Sequence, residues 1–297
     1  MRTGRLLGSG RTADVYELHP DEGESTPPLH AARTLFAEPP APGGRDDRDG
    51  IDRHTRRDGA DGGAVADGRA GTGDPASPGG GAAAWVLRRY RDGWGDAAAE
   101  AEVMAYVRRH GYPVPRVRSA TGTEMVLERL TGPTMLDALA AGLLDPARAG
   151  AVLARLLHAL HALPPRDAAA GSRVLHLDLH PDNVILTPRG PQVIDWSNAE
   201  EGPPGLDWGT SAMILAQVAV DAADARAAMA HAVLVSLLAH QPGGPSALTE
   251  EGLAEAARRR AVTPTMTARE VELMSAAEEL ARNVMDPGAT ALRPPRT

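Results

Sequence analysis

The most informative segment of the chain is a polar loop that reads His176-Leu177-Asp178-Leu179-His180-Pro181-Asp182-Asn183. A second segment, Val193-Ile194-Asp195-Trp196, places another carboxylate twelve residues after the loop ends. Apolar runs at 174–177, 184–186 and 192–194 predict short strands around both segments. Strands in these places would bring the polar side chains together. Turn and helix-cap roles are the competing interpretation of the same Asp and Asn residues.

Three side chains in these segments match the needs of phosphoryl transfer. That reaction requires an acceptor hydroxyl aimed at the phosphate, a group that takes its proton, and cations that neutralise the phosphate charge. Asp178 can take the proton, and Asn183 and Asp195 offer the oxygen ligands that Mg²⁺ prefers. A bare H-x-D-x-x-x-x-N pattern is only suggestive, so a second signal elsewhere in the chain matters.

The second signal is a glycine-rich turn near the start of the chain, Gly8-Ser9-Gly10-Arg11-Thr12-Ala13-Asp14-Val15. It fits G-x-G-x-x-[GA]-x-V between strand-like segments at 5–7 and 14–18. Glycines permit a tight turn and let backbone amides approach phosphate oxygens. An ordinary hairpin turn is the alternative interpretation. A dinucleotide-binding fold is disfavoured, because there a helix follows the glycines, whereas a strand is predicted here.

Together these motifs resemble those of the aminoglycoside-phosphotransferase and choline-kinase branch of the protein-kinase-like superfamily, over 5–18 and 84–284. The resemblance implies a bilobal α+β fold, in which a small antiparallel β-sheet with one helix precedes a larger, mainly helical lobe. It implies that the chain moves the γ-phosphoryl group of ATP or GTP to a small-molecule hydroxyl with Mg²⁺. In that scheme Asp178 is the catalytic base, and Asn183 and Asp195 bind the metal.

The same resemblance assigns further residues to the site. His176 and His180 have supporting roles, and Asp207 braces the catalytic loop. The nucleotide is expected to contact the glycine turn, a charged pair and the strand that leads into the hinge. The corresponding residues are Gly8, Ser9, Gly10, Ala13, Val15, Arg88, Glu100, Glu128 (through its carbonyl) and Leu130 (through its amide).

One position departs from the family pattern. The chain contains no Lys, so all 31 of its basic residues are Arg. Arg88 stands where the family has a Lys that grips the α- and β-phosphates. A guanidinium keeps the charge but is a wide planar fork, which could still clamp a phosphate. Glu100 shares a predicted helical face with Met104, so it is the expected partner of Arg88 in preference to Glu102.

The pattern also predicts how the chain is organised. We expect a nucleotide-binding lobe over 1–130, a catalytic and substrate lobe over 131–285, and a flexible tail over 286–297. The segment 19–83 is crowded with Gly, Pro, Asp and Arg and predicts a disordered insertion. Strands are predicted at 84–90, 114–117 and 124–130. Helices are predicted at 96–110, 145–163, 206–220, 222–238, 249–260 and 268–284.

Composition narrows the possible partners. The formal net charge of −8 argues against nucleic acid, and the absence of Cys excludes disulfides and thiolate chemistry. No apolar run is long enough for a membrane span, and no signal-peptide core is found, so a cytoplasmic protein is expected. The run Arg258-Arg259-Arg260 predicts a solvated helix end.

Two other functions remain open at this point. The missing Lys favours a pseudokinase-type nucleotide-binding or regulatory protein, which the intact Asp178, Asn183 and Asp195 disfavour. A protein kinase is the other alternative, but no A-P-E segment lies between Asp195 and Asp207. A role in central metabolism, on choline, homoserine or a sugar amine, is compatible with the same motifs. The motifs do not identify the acceptor.

Overall fold

The computed structural model describes residues 1–19, 85–91, 95–166, 171–244, 247–264 and 266–286. Most of the insertion predicted at 19–83, from residue 20 onward, lies outside these residues, and so does the predicted tail from residue 287 onward. No helix within the described ranges is long and apolar enough to cross a lipid bilayer.

The first part of the chain forms a five-stranded antiparallel sheet with the order β1-β2-β3-β5-β4. Its core contains Leu18, Trp85 and Leu87, with Tyr16 and Val126 packed against them. The strands are β1 Arg2–Ser9, β2 Ala13–His19, β3 Trp85–Tyr90, β4 Val117–Ala120 and β5 Glu124–Glu128.

One helix, α1 Ala97–Arg109, follows β3 and contacts β4 and β5. Asp96 caps its first turn by accepting hydrogen bonds from the amides of Ala98 and Ala99. The buried face of α1 carries Glu100 beside Val103, Met104 and Val107. A carboxylate therefore lies on the apolar side of the helix, as its spacing predicts.

The rest of the chain is mainly helical and contains two short two-stranded sheets. The helices are α2 Met135–Ala140, α3 Pro146–His161, α4 Pro204–Val220, α5 Ala227–Ala239, α6 Glu250–Ala261, α7 Ala268–Glu272 and α8 Met274–Met285. The strands are β6 Arg173–Leu175, β7 Val184–Thr187, β8 Gly190–Val193 and β9 Glu200–Gly202. In these sheets β6 pairs with β9 and β7 pairs with β8.

Helices α4 and α6 pack at very short range. A side chain at Gly209 of α4 would place its Cβ 2.6 Å from the carbonyl oxygen of Gly252 in α6. No side chain fits at that distance, so glycine is required where the two backbones meet. The close approach fixes the position of α6, whose last turn lies beside the site described below.

Several predicted boundaries are wrong, each for a local reason. The fourth strand covers β4 rather than 114–117, because Pro113 and Pro115 have no amide to donate to a ladder. Helix α5 begins at Ala227 rather than at 222, because Asp221 and Asp224 accept hydrogen bonds from amides two residues on and form turns.

Two further differences concern helices. The helix predicted at 268–284 is split into α7 and α8 at Leu273. The short helix α2 has no counterpart among the predicted ranges. It begins with a capping box in which Thr134 and Asp137 exchange side-chain-to-backbone hydrogen bonds, a signal that the sequence does contain. The overall architecture nonetheless confirms the predicted α+β fold, a small antiparallel sheet with one helix and a mainly helical second part.

Candidate active site

The loop after β6 is held in place by a buried carboxylate in the first turn of α4. Asp207 is fully buried and accepts hydrogen bonds from the amides of His176 (2.9 Å) and Leu177 (2.7 Å). The same carboxylate contacts Nε2 of His161 at 2.9 Å. Burial raises the pKa of Asp207, but the hydrogen bond and charge of His161 and the loop amide more than offset it, so the net pKa is lowered.

His176 ties the same loop to the segment that carries Asp195. Its Nδ1 accepts a hydrogen bond from the Asp178 amide (3.2 Å), and its Nε2 donates to the carbonyl of Ile194 (3.1 Å). These two partners require a neutral ring with its proton on Nε2. The ring also packs edge-on against Trp196, with centroids 4.7 Å apart. His176 therefore positions two backbone segments, and its supporting role in catalysis stays a prediction.

The backbone is strained at two positions beside these contacts. Among the described residues, Leu177 (φ 59°) and Asp195 (φ 61°) are the non-glycine residues with positive φ. Each such conformation costs on the order of 1–3 kcal/mol and persists only where neighbouring contacts enforce it. Asp207 holds the amide of Leu177, and His176 holds the carbonyl of Ile194, the residue before Asp195.

Asp178 and Asn183 interact within the loop. The Asn183 Nδ2 donates to the carbonyl oxygen of Asp178 (2.8 Å) and to its Oδ2 (3.2 Å). Because a carbonyl oxygen only accepts, the amide nitrogen of Asn183 must be the atom that faces it. The Asn183 Oδ1 is thereby left as a potential ligand. His180 lies 3.7 Å from Asp178 Oδ1, and burial lowers the pKa of His180 against the opposing charge of Asp178.

Arg88 bridges the sheet to two carboxylates at once. Its Nη1 donates to Glu100 Oε1 (2.5 Å) and its Nη2 donates to Asp195 Oδ1 (2.6 Å). Glu100 also accepts from the Tyr90 hydroxyl and, at 2.9 Å, from the Trp196 amide. Burial lowers the pKa of Arg88, but the charges of Glu100 and Asp195 outweigh it, so the net pKa is raised. Glu102, the competing partner, is exposed.

The glycine turn between β1 and β2 lies close to the same groups and lines a cleft with them. The Gly10 amide donates to the carbonyl of Ala13 (2.8 Å) across the turn between β1 and β2. Neither Gly8 nor Gly10 has a positive φ, and a Cβ at Gly8 would meet nothing within 4 Å. The turn therefore does not need glycine for its own conformation.

These elements surround a cleft of about 790 Å³. Its lining includes eight of the predicted site residues, namely Gly10, Ala13, Val15, Arg88, Asp178, His180, Asn183 and Asp195. Two groups do not line it. His176, Glu100 and Asp207 are buried behind the lining, and Gly8, Ser9, Glu128 and Leu130 lie away from it. The Glu128 side chain instead accepts from Arg189 (2.7 Å), so a purine contact at Glu128 or Leu130 stays a prediction.

Comparison with known proteins identifies the family. A model of the phosphotransferase enzyme family APH matches residues 77–173 and 126–234, which together cover 77–234, more than half of the 297 residues. The chain belongs to this family. The match confirms the resemblance seen in the motifs and the prediction of a small-molecule kinase.

Solved structures similar to this APH-family chain were also found. They include hAmiN amicoumacin kinase in complex with AMP-PNP, Ca²⁺ and Ami (TM-score 0.40, 12% identity, 70% of this chain and 83% of that chain). Plasmodium vivax ethanolamine kinase matches with a TM-score of 0.41 and 10% identity over 68% of each chain.

A thermostable mutant of the aminoglycoside phosphotransferase APH(4)-Ia, in ternary complex with AMP-PNP and hygromycin B, is the third. Its TM-score is 0.43 and its identity 12%, with 97% of this chain and 95% of that chain covered. No curated protein matches the sequence.

One cleft residue of this APH-family chain was missed from sequence. Arg260, in the last turn of α6, lines the cleft and is partly buried, so the prediction of a fully solvated arginine run is wrong at this position. Arg258 and Arg259 are exposed as predicted. The missed signal was helical spacing, because Arg260 lies three and four residues after the buried Ala257 and Ala256.

Proposed function

We propose that this phosphotransferase moves the γ-phosphoryl group of ATP or GTP to the hydroxyl of a small molecule, with Asp178 as the catalytic base. One observation carries the proposal. Asp178, Asn183 and Asp195 line a single cleft, and the glycine turn and Arg88 line the same cleft. Phosphoryl transfer depends mostly on positioning and charge neutralisation, and this arrangement can supply both.

Asp178 has the properties of a general base. Burial raises its pKa above the ordinary value, so the carboxylate is a stronger proton acceptor than an exposed Asp. About 28% of the side chain is exposed, which leaves it accessible to an acceptor in the cleft. The hydrogen bonds from Asn183 hold it in a defined orientation.

The oxygen atoms at the centre of the cleft fit a divalent cation. Asn183 Oδ1 and Asp195 Oδ2 accept no hydrogen bond from any described residue, and both are hard oxygen donors of the kind Mg²⁺ selects. No group of three His, Asp or Glu side chains suited to a metal occurs in the described parts of the chain, so water and phosphate oxygens would complete the coordination. Bound there, Mg²⁺ would neutralise phosphate charge.

A pseudokinase is the second candidate, and the charged bridge is the observation that favours it. Both Nη atoms of Arg88 are committed to carboxylates. An arginine held in this way has less freedom to grip a phosphate than the Lys it replaces. Transfer activity separates the two candidates, since a pseudokinase would bind Mg·ATP and transfer nothing.

The test compares the wild type with Asp178→Asn in a labelled-ATP transfer assay. The acceptor panel contains hygromycin B, other aminoglycosides, ethanolamine, choline and homoserine. We expect Asp178→Asn to reduce turnover by about 10²–10⁴-fold, the usual share of general-base catalysis. Binding of Mg·AMP-PNP, measured by thermal shift, should be retained.

The matched control is Asp145→Asn, because Asn caps the start of α3 as well as Asp does. This variant should keep full turnover. Near-normal turnover in Asp178→Asn contradicts the assignment of the base. Nucleotide binding by the wild type without transfer to the panel, to glucuronate, to glucose 6-phosphate or to water supports the pseudokinase.

A further inference from the structure

Arg260 is a cation of the cleft that the phosphotransfer scheme does not use. The close contact between α4 and α6 at Gly209 and Gly252 presses one face of α6 into the protein. Leu253, Ala256 and Ala257 are buried on that face, and Arg260 continues it into the cleft. Burial lowers its pKa, although the charges of Asp178 and Glu270 oppose the shift. An arginine remains charged under these conditions.

The guanidinium is oriented by a neutral side chain. Gln217 of α4 donates through Nε2 to the carbonyl of Glu270 at 3.0 Å, which fixes its Oε1 toward Arg260. That Oε1 accepts from Arg260 Nε at 2.6 Å. The Nη1 and Nη2 atoms donate to no acceptor among the described residues, and neither belongs to the fully buried atoms that lack a partner. These two atoms therefore face the open cleft.

Of the carboxylates that line the cleft with Arg260, Asp182 is exposed and Asp195 is paired with Arg88. Glu200 accepts from Arg259 at 2.5 Å, and Glu270 pairs with Arg11 at 3.5 Å. The charge of Asp178 is required for catalysis in the proposed function. A polycationic acceptor would need several carboxylates without arginine partners in the part of the cleft around Arg260. That part of the cleft instead offers one oriented guanidinium with two uncommitted nitrogen atoms.

From this geometry we infer that Arg260 binds an anionic group of the acceptor, so that the acceptors of this enzyme are hydroxylated carboxylic acids or phosphate esters. The inference rests on the proposed function and adds the substrate class to it. The Nη1 and Nη2 atoms form the planar fork that matches two oxygen atoms of a carboxylate or phosphate. Anchoring the anion there would leave the acceptor hydroxyl free to approach Asp178, whose charge interacts with that of Arg260.

The experiment uses four sugars with one ring: glucuronate, glucose 6-phosphate, glucose and glucosamine. Each is titrated by calorimetry into the full-length protein, loaded with Mg·AMP-PNP or free of nucleotide. Binding is measured without turnover, so failure of this inference can be told apart from failure of the proposed phosphotransfer. We expect an anionic sugar to bind at least about tenfold more tightly than glucosamine, the usual gain from hydrogen bonds to a charged group.

Three variants assign the preference to Arg260. Arg260→Gln should remove it, and Arg260→Lys should retain part of it, because the charge stays and the fork is lost. Arg258→Gln is the matched control, since Arg258 pairs with Glu255 on the exposed face of the same helix end, and it should leave the preference intact. Melting temperatures check that all three variants are folded.

The outcomes are distinct. Glucuronate bound in preference to glucose 6-phosphate identifies a carboxylate subsite, and the reverse identifies a phosphate subsite. Equal binding of all four sugars, preference for glucosamine, absence of binding, or an anion preference that survives in Arg260→Gln overturns the inference. It is also overturned if Arg260→Gln leaves the preference intact and slows only ATP turnover, because Arg260 would then act on the transferred phosphoryl group.

Discussion

The loop at 176–183 and the glycine turn at 8–15 line the same cleft, but they are fixed in very different ways. Buried groups hold the loop, including the carboxylate of Asp207 and the ring of His176. The turn is held by the backbone hydrogen bond of Gly10 and by exposed pairs such as Arg11 with Glu270. Regions with few buried contacts open most easily. In the proposed function, the chemistry would therefore take place on a rigid loop, and the nucleotide would meet a turn that can adjust its position.

Asp207→Asn removes hydrogen bonds that hold the rigid loop, and it should have the largest effect on stability. An amide has one acceptor oxygen, so it cannot accept from His161, His176 and Leu177 together, and its NH₂ group would face other donors. We expect the free energy of unfolding to fall by roughly 3 kcal/mol. Urea denaturation measures it. In the exposed control Asp221→Asn, which loses a surface pair with Arg269, little change is expected.

The pH dependence of stability gives a second measurement of the same carboxylate. The pKa of Asp207 is lowered in the folded protein, so its stabilisation is present above the unfolded pKa of about 4 and is lost as the pH falls through lower values. The wild type should lose stability in this range, and Asp207→Asn should lose less. Parallel curves for the two proteins would show that another group carries the acid sensitivity.

Arg88→Lys tests the charged bridge from β3 to Glu100 and Asp195. The Arg88 Nη2 donates to Asp195 Oδ1, so the guanidinium neutralises part of the carboxylate charge that would attract a cation to Asp195 Oδ2. A compact ammonium cannot reproduce the two-pronged bridge to Glu100 and Asp195. We expect the Mg²⁺ concentration at half-maximal AMP-PNP binding to fall, on the order of severalfold. Thermal-shift titration with Mg²⁺ measures this change.

The neighbouring position supplies the control. Arg89 is exposed on the opposite face of β3 and pairs with Glu124 at 2.6 Å, so Arg89→Lys should leave the Mg²⁺ requirement unchanged. A higher Mg²⁺ requirement in Arg88→Lys would mean that the guanidinium assists the metal site. In that case the departure from the family Lys would be an adaptation of this chain.

The sequence predicted that the polar side chains of the loop lie together, because their contacts depend on local spacing. Asn183 donates to Asp178 five residues before it, and Glu100 could be chosen over Glu102 from the periodicity of one helix. The network behind the loop was only partly predictable. Asp207 could be named from the family pattern, but its contact with His161 joins α3 to α4, and no local pattern encodes that pairing.

The position of Arg260 in the cleft was not predictable for a related reason. Arg260 reaches the cleft because α6 approaches α4 at Gly209 and Gly252, a contact between segments far apart in sequence. Taken alone, the run of three arginines has the composition of a solvated helix end. The boundaries of β4 and α5 failed more simply, since proline and Asx-turn residues locally overrode the hydrophobic pattern.

Arg11→Gln should test the adaptable side and have the smallest effect. Arg11 and Glu270 are separated by 3.5 Å, and 60% of the Arg11 side chain is exposed, so solvent and salt screen their attraction. We expect the free energy of unfolding to change by less than about 0.5 kcal/mol, and hydrogen exchange at the Gly10 amide to stay fast relative to that at Leu177. If the substitution instead destabilised the protein as much as Asp207→Asn does, the turn would belong to the same cooperative unit as the loop, and the contrast between a rigid loop and an adjustable turn would be wrong.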